Sequence, residues 1–339
     1  MNDAEHSKPE RLHGDGEVPF DRPKTNRGLG LPRWFVVLDY FFLLRPMILI
    51  PVWLFLLLGN YHALVETGAY QWSATLLPDL DLLLCFVAYT LLVGGIYVNN
   101  QLNDAETDRR NRKLFLICDG YISRRAAWTY QLALQGLALA AALYFQSWDY
   151  LWVAAASIAL GFAYNTPPVK LKGKPILDIA ANAFGNGFFN IAIGYVIVRE
   201  ITASFWPLAL PYMLAVGAVF ANTTVVDVCG DRESGERTSA VTFGPAFTRW
   251  TALFLQLASV VTALLFEVRP ALLAGLLCLP LFMLALDGKR RHIKLSYQAT
   301  TLIYALAAAA LHLWFLPFLI GVIWLTRWYY RKKFNLRYP

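Results

Sequence analysis

The sequence predicts an all-α, polytopic membrane protein, and three observations carry that expectation. Of its 339 residues 57% are hydrophobic and only 16% charged, with a mean hydropathy of +0.44, far from the balance of a soluble domain or a disordered chain. Apolar stretches recur at about the 20 residues needed to cross a bilayer as a helix. The bases, which give a net charge of +7, crowd every second connection.

The elements follow in order. Residues 1–33 are polar, rich in Pro, Gly and charge, and contain no apolar run of the kind a signal peptide needs; they are expected to form a mobile tail that is not translocated. Residues 34–326 form one membrane domain with about nine candidate spans, at 34–59, 82–99, 126–145, 149–165, 177–198, 206–226, 249–266, 270–286 and 297–325. Residues 327–339 are a basic tail. Nine spans would place that tail on the side opposite the N-terminus, so 297–325 can also be read as two short segments around His312 and Pro317.

Bases concentrate in the N-terminal tail, the 100–125 loop, Lys170 to Lys174, 227–237 and Lys289 to Lys294, whereas 60–81, 146–149, 199–204 and 267–269 carry few. Such alternation is the positive-inside pattern, with the N-terminus and the charged loops cytoplasmic; a bacterial inner membrane is the expected location. It argues against reading the positive charge as a nucleic-acid surface. Cys85, Cys118, Cys229 and Cys278 have neither metal nor disulfide spacing, the five histidines do not cluster, and free thiols are expected.

Two rows of acids stand out. Side chains at i, i+4 and i+8 share one helix face, which aligns Asn100, Asp104 and Asp108 in NQLNDAETD. Asp227 and Asp231 repeat the spacing at the end of the sixth apolar segment, with Thr223 in the place of Asn100. Both rows fall on the same side by the loop-charge pattern. Converging carboxylates repel unless cations stand between them, and oxygen donors at this spacing suit Mg2+ bridging to a phosphate ester. Lys170 and Lys172 in AYNTPPVKLKGK, with Arg109, Arg110, Lys113, Arg232 and Arg237, are candidate bases for the phosphate. Either row alone reads equally as a solvated helix end, and Glu106 with Arg110 as a surface ion pair.

Taken together these segments resemble the UbiA-type superfamily of intramembrane prenyltransferases. FFLLRPMILIP resembles the Arg-Pro entry to the family's first helix and NQLNDAETD its first motif, N(D/Q)xxDxxxD. GFAYNTPPVKLKGKP resembles the Tyr-x-x-Pro-Pro segment with its Leu-Lys between helices four and five, and DVCGDRESGERTSAVTFG the second aspartate motif with its Gly-x-Arg-Thr continuation. The resemblance spans roughly 34–325. It implies a nine-helix bundle around a central cavity, with Mg2+ and a polyprenyl diphosphate at the cytoplasmic mouth. The residues it carries over are Asn100, Asp104, Asp108, Asp227 and Asp231 for metal and diphosphate. Lys170 and Lys172 match diphosphate bases, Tyr164 a tyrosine beside them and Arg45 an arginine of the cavity. Three positions depart from the pattern: Gln101 replaces the more usual aspartate, as in the homogentisate-prenylating branch, Phe115 stands at an arginine position, and Thr224 replaces an earlier aspartate of the second motif.

The implied reaction is Mg2+-assisted loss of pyrophosphate from an allylic diphosphate, with capture of the carbocation by a membrane-accessible acceptor, an aromatic ring of the quinone or tocopherol kind being favoured by Gln101. Some relatives cyclise the chain instead. Asn182, Asn186 and Asn190 form a further i, i+4, i+8 row that should face the bundle interior, to bond between helices or to line the chamber. Two rival classes are a CDP-alcohol phosphotransferase, of which DGYISRRAAW matches only the opening dipeptide, and a secondary transporter, whose coupling acids would lie near the midplane.

Overall fold

The computed structural model describes residues 26, 29–110 and 115–336, apart from the side chains of Ala74, Thr107, Arg109 and Arg110. Most of the expected N-terminal tail, the last three residues of the C-terminal one, and the candidate base Lys113 lie outside the described residues. The described chain is helical: α1 (Phe35–Leu43), α2 (Pro46–Glu66), α3 (Leu80–Arg110), α4 (Phe115–Cys118), α5 (Arg124–Phe145), α6 (Trp148–Asn165), α7 (Leu177–Asn182), α8 (Asn190–Tyr195), α9 (Phe205–Glu233), α10 (Ser239–Phe243), α11 (Pro245–Leu265), α12 (Arg269–Ala285), α13 (Arg290–Leu311) and α14 (Phe315–Phe334). A π-helical stretch, Ala183–Phe189, joins α7 to α8 as one rod. Four helices, Pro46–Glu66, Leu80–Glu106, Phe205–Glu233 and Pro245–Leu265, are long and apolar enough to cross a membrane by length and composition alone.

Local chemistry explains the boundaries. Ser123 and Ser147 cap α5 and α6, their hydroxyls accepting from the backbone N–H of Ala126 and Tyr150, which satisfies donors a helix start leaves open. Pro46 and Pro245 open α2 and α11, where a missing N–H costs nothing. α2 and the α7–α8 rod meet at closest range through glycines: a Cβ on Gly59 would collide with the Ile191 carbonyl, and one on Gly194 with that of Leu56. Apolar helices in lipid gain no hydrophobic drive from meeting one another, so close backbone packing of this kind supplies the attraction.

The ninth candidate span is two full helices, α13 and α14, broken at His312 to Trp314 rather than at Pro317, which sits harmlessly in the first turn of α14. At that break the Trp314 N–H donates to the Thr75 carbonyl, the Trp72 indole to Ala310 and the Tyr70 hydroxyl to Leu311. The opposite end of α14 packs Phe334 on Phe115 and Tyr121, and buries the Lys333 ammonium 2.5 Å from the Asp39 carboxylate. Arg327, Arg331, Lys332 and Lys333 therefore lie toward the end of the bundle that carries the acid rows, which removes the charge conflict left by an odd number of spans. None of the four cysteines is in a disulfide.

Candidate active site

Helices α2, α3, α6, α9, α13 and the α7–α8 rod surround a cavity of about 1540 Å3. The nine residues carried over by the family resemblance line it: Asn100, Asp104, Asp108, Asp227, Asp231, Lys170, Lys172, Tyr164 and Arg45. Asp104 and Asp227 each lie within two turns of the C-terminal end of their helix, a placement unlike the midplane acids of a transporter.

The first row is tightly organised. The Asn100 amide donates to Asp104 Oδ2 at 2.8 Å and to Asn165 Oδ1 at 2.9 Å; its own oxygen faces Arg45 Nη1 at 3.5 Å. Arg45 occupies the left-handed region, φ 58°, at the corner between α1 and α2, and the following Pro46 disfavours continuing α1 in the right-handed helical conformation there. Asp108 is buried. Gln101 turns away from the cavity, donating to the carbonyls of Leu43 and Tyr97.

The lysine loop leaves α6 at Thr166 and crosses the mouth. Lys172 donates to both Asp104 oxygens, at 2.6 and 2.5 Å, and Lys170, itself at φ 39°, pairs with Glu236 at 2.5 Å. From the far wall Thr238 donates to Asp231 Oδ2 at 3.1 Å. Deeper, the Tyr164 hydroxyl accepts from Asn182 Nδ2 at 2.9 Å, Asn186 donates to Asn182 Oδ1 at 3.1 Å, and Tyr89 donates to Asn190 Oδ1 at 3.0 Å. The asparagine row thus both bonds between helices and lines the chamber. It lies in and beside the π-helical stretch, a feature that often marks functional positions.

Other expectations need correction. Arg232, in the last turn of α9, and Arg237, in the segment after it, are exposed and do not line the cavity; the side chains of Arg109 and Arg110 lie outside the described ones. Asp178, Glu236, Arg290, Lys294, Tyr297 and Gln298 also line the cavity, and no motif in the sequence marks them as site residues. Arg290 and Lys294 were visible only as part of a basic loop; their i, i+4 spacing was the missed signal. The turn before them is braced by Asp287, which accepts from the Lys289 N–H at 2.9 Å and pairs with His292 at 2.7 Å. Those two contacts, the backbone one first, hold its carboxyl below the usual carboxylate range.

Oxygen-only donors on two facing helix ends match the preference of Mg2+ for carboxylates plus waters and phosphates. Among the described residues no three Asp, Glu, His or Cys side chains stand together as a formed metal site. Asp104 pairs with Lys172. The donor chemistry fits a cation that arrives with a phosphate ligand rather than one held by a dedicated protein cage.

A profile of the UbiA prenyltransferase family matches residues 63–294. A homogentisate phytyltransferase of Synechocystis sp. (strain ATCC 27184 / PCC 6803 / Kazusa) is 29% identical over 207 residues, covering 54% of this chain and 66% of the relative, just under two thirds of its length. Two solved structures share the fold. One is a UbiA homologue from Archaeoglobus fulgidus bound to DMAPP and Mg2+, at 21% identity and TM-score 0.63 over 82% of this chain and 99% of that one. The other is the apo form of a UbiA homologue from Aeropyrum pernix K1, at 18% identity and TM-score 0.59 over 75% and 96%. With the family pattern running from α2 into α13 and the bundle shared over four fifths of its length with a homologue, the chain is an integral membrane protein that belongs to the UbiA prenyltransferase family.

Proposed function

We propose that this protein catalyses Mg2+-dependent transfer of a polyprenyl group from its diphosphate to an aromatic acceptor, at a mouth on the cytoplasmic face of a bacterial inner membrane. The observation that carries the reading is the convergence of two aspartate rows and a lysine loop, from distant parts of the chain, on the mouth of one cavity with an apolar wall behind it. The family membership supports the class of reaction, and the relative named for homogentisate supports an aromatic acceptor.

In this reading Asn100, Asp104, Asp108, Asp227 and Asp231 hold Mg2+ and the diphosphate. Bound there, Mg2+ supplies Lewis acidity for the leaving group. Lys172 passes from Asp104 to a diphosphate oxygen, and Lys170 from Glu236, so that positive charge meets the negative charge that develops as the C1–O bond breaks. Arg45 steadies Asn100 and adds a further fixed positive charge beside the row. Ile48, Ile50, Leu54, Phe55 and Val216 give the prenyl tail an apolar wall that excludes water. Rings of Tyr97, Tyr164 and Phe220 border the same space, and an aromatic face stabilises a cation by about 0.5–2 kcal/mol. The allylic carbon bonds to a ring carbon of the acceptor, which loses a proton as aromaticity returns.

The test is pyrophosphate release by the purified protein from geranylgeranyl diphosphate, with and without Mg2+, against a panel of acceptors that includes homogentisate. Release that needs both Mg2+ and an aromatic acceptor is the expected result. Release without any acceptor, accompanied by a cyclic hydrocarbon, would assign a cyclase instead.

A further inference from the structure

Asp178 is a carboxylate for which the proposed chemistry has no use. It sits in the first turn of α7, 2% exposed, directly behind the lysine loop. It accepts three hydrogen bonds: from its neighbour Ile179 N–H at 2.9 Å, from the Ser239 N–H at 2.7 Å and from the Ser239 hydroxyl at 2.5 Å. Ser239, 61 positions away in sequence, belongs to the segment that follows the second aspartate row, and its hydroxyl oxygen also accepts from the Ile176 N–H at 2.8 Å.

Both segments reach the mouth from this junction. On one side Ile176 takes φ 70°, an unfavourable conformation for a β-branched residue that persists only where surroundings over-determine it; the loop so turned carries Lys170 and Lys172. On the other side Thr238, next to Ser239, bonds the Asp231 carboxylate, and the Glu236 N–H bonds the Asp231 carbonyl at 2.8 Å. The Arg237 N–H reaches the Gly173 carbonyl at 3.2 Å.

The links differ in kind. Lys170 with Glu236 and Lys172 with Asp104 are partly exposed ion pairs, weak in water and easily exchanged. The Asp178–Ser239 contacts are buried and charge-assisted, the stronger class. An active site that lends its lysines to an incoming diphosphate must open the first kind of link without losing the loop's place.

We propose that Asp178 and Ser239 form a permanent clasp that fixes the lysine loop against the second aspartate row, making them positioning residues for the diphosphate. This rests on the function proposed above. The clasp ties the Asp178 carboxylate to the backbone N–H and hydroxyl of Ser239, and that hydroxyl to the Ile176 N–H, so Lys170 and Lys172 exchange partners while their backbone stays registered to Asp231.

The experiment compares Ser239→Ala, Ser239→Thr and Asp178→Asn with the parent, full chain in detergent. It reads equilibrium binding of radiolabelled geranylgeranyl diphosphate with Mg2+ and no acceptor, then KM for each substrate. Ser239→Ala keeps one of the two bonds to Asp178 and should weaken diphosphate binding about tenfold, as expected for loss of a charge-assisted bond. The acceptor KM should stay within about twofold and Ser239→Thr should restore binding. Asp178→Asn should cost more; if it fails to fold, the Ser239 pair still decides. Unchanged diphosphate binding in Ser239→Ala, or equal rises in both KM values, would overturn the clasp while the parent's turnover keeps the functional reading intact. A parent that binds no prenyl diphosphate would remove that reading, and the clasp with it.

Discussion

Lys172 lies across both carboxylate oxygens of Asp104, 2.6 Å from one and 2.5 Å from the other, joining residues 68 positions apart. The pair stands at the mouth of the cavity, part-buried on both sides, where its attraction is worth more than at an open surface and less than in a dry interior. The ammonium balances the charge of that one carboxylate.

Replacing Lys172 should therefore act on the diphosphate rather than on the fold. Lys172→Met is expected to raise the KM for the prenyl diphosphate about tenfold or more and to lower kcat, with the acceptor KM little changed. Lys172→Arg should recover only part, because a guanidinium differs from an ammonium in reach and geometry. Steady-state kinetics with each substrate varied in turn checks this.

Removal of divalent cation should abolish transfer without unfolding the protein. In the proposed function Mg2+ would be held with the diphosphate at the cavity mouth, so its removal is expected to affect the loaded site and not the fold, unlike removal of a structural zinc. Chelation should leave the thermal midpoint within a few degrees, about what a 1 kcal/mol change produces in a chain of this size, and Mg2+ should restore activity. Loss of helicity on chelation, read by circular dichroism, would argue against this.

Asp39 and Lys333 clasp the ends of the described chain. Asp39 Oδ1 also accepts from Tyr329 at 2.7 Å and Oδ2 from Asn26 at 2.7 Å, and Lys333 lies over the Tyr121 ring, 4.3 Å from its centroid. Either Asp39→Ala or Lys333→Ala leaves a buried charge uncompensated, which costs about 3–5 kcal/mol. A double change to neutral residues of similar size should cost markedly less. Thermal inactivation in detergent reads the difference.

Gly59 and Gly194 set the distance between α2 and the α7–α8 rod. Gly194→Val adds a Cβ that collides with the Leu56 carbonyl and two further methyl carbons beyond it, and overpacking of this kind costs about 1–3 kcal/mol or more. Lower yield and a lower thermal midpoint are expected, with the KM values of any surviving enzyme near normal.

The sequence made the carboxylates legible because helical periodicity converts spacing into direction: Asn100, Asp104 and Asp108 share a face wherever that helix is placed. Lys170 and Lys172 were legible as the basic loop between the rows. Asp178 was not, since a single acid at a helix start has no periodic partner, and its partner Ser239 is contributed by tertiary packing. Arg232 and Arg237 misled for the same reason, because nearness in sequence to Asp231 says nothing about which side chains reach the cavity. The span at 297–325 was blurred since α13 opens with RRHIK and its apolar face is interrupted by Ser296 and Thr300, which are buried among helices and not against lipid.

If the two aspartate rows act as one site, a double-mutant comparison of pyrophosphate release will show it. Asp104→Ala, Asp227→Ala and the double variant would be assayed with geranylgeranyl diphosphate, Mg2+ and the best acceptor, with Glu106→Ala as an exposed neighbour that does not line the cavity. Each single change should remove nearly all turnover, the double change little more, as for groups that work as a unit, and Glu106→Ala should retain most of it. Substantial turnover in either single variant, or losses that simply multiply in the double one, would contradict a single shared site.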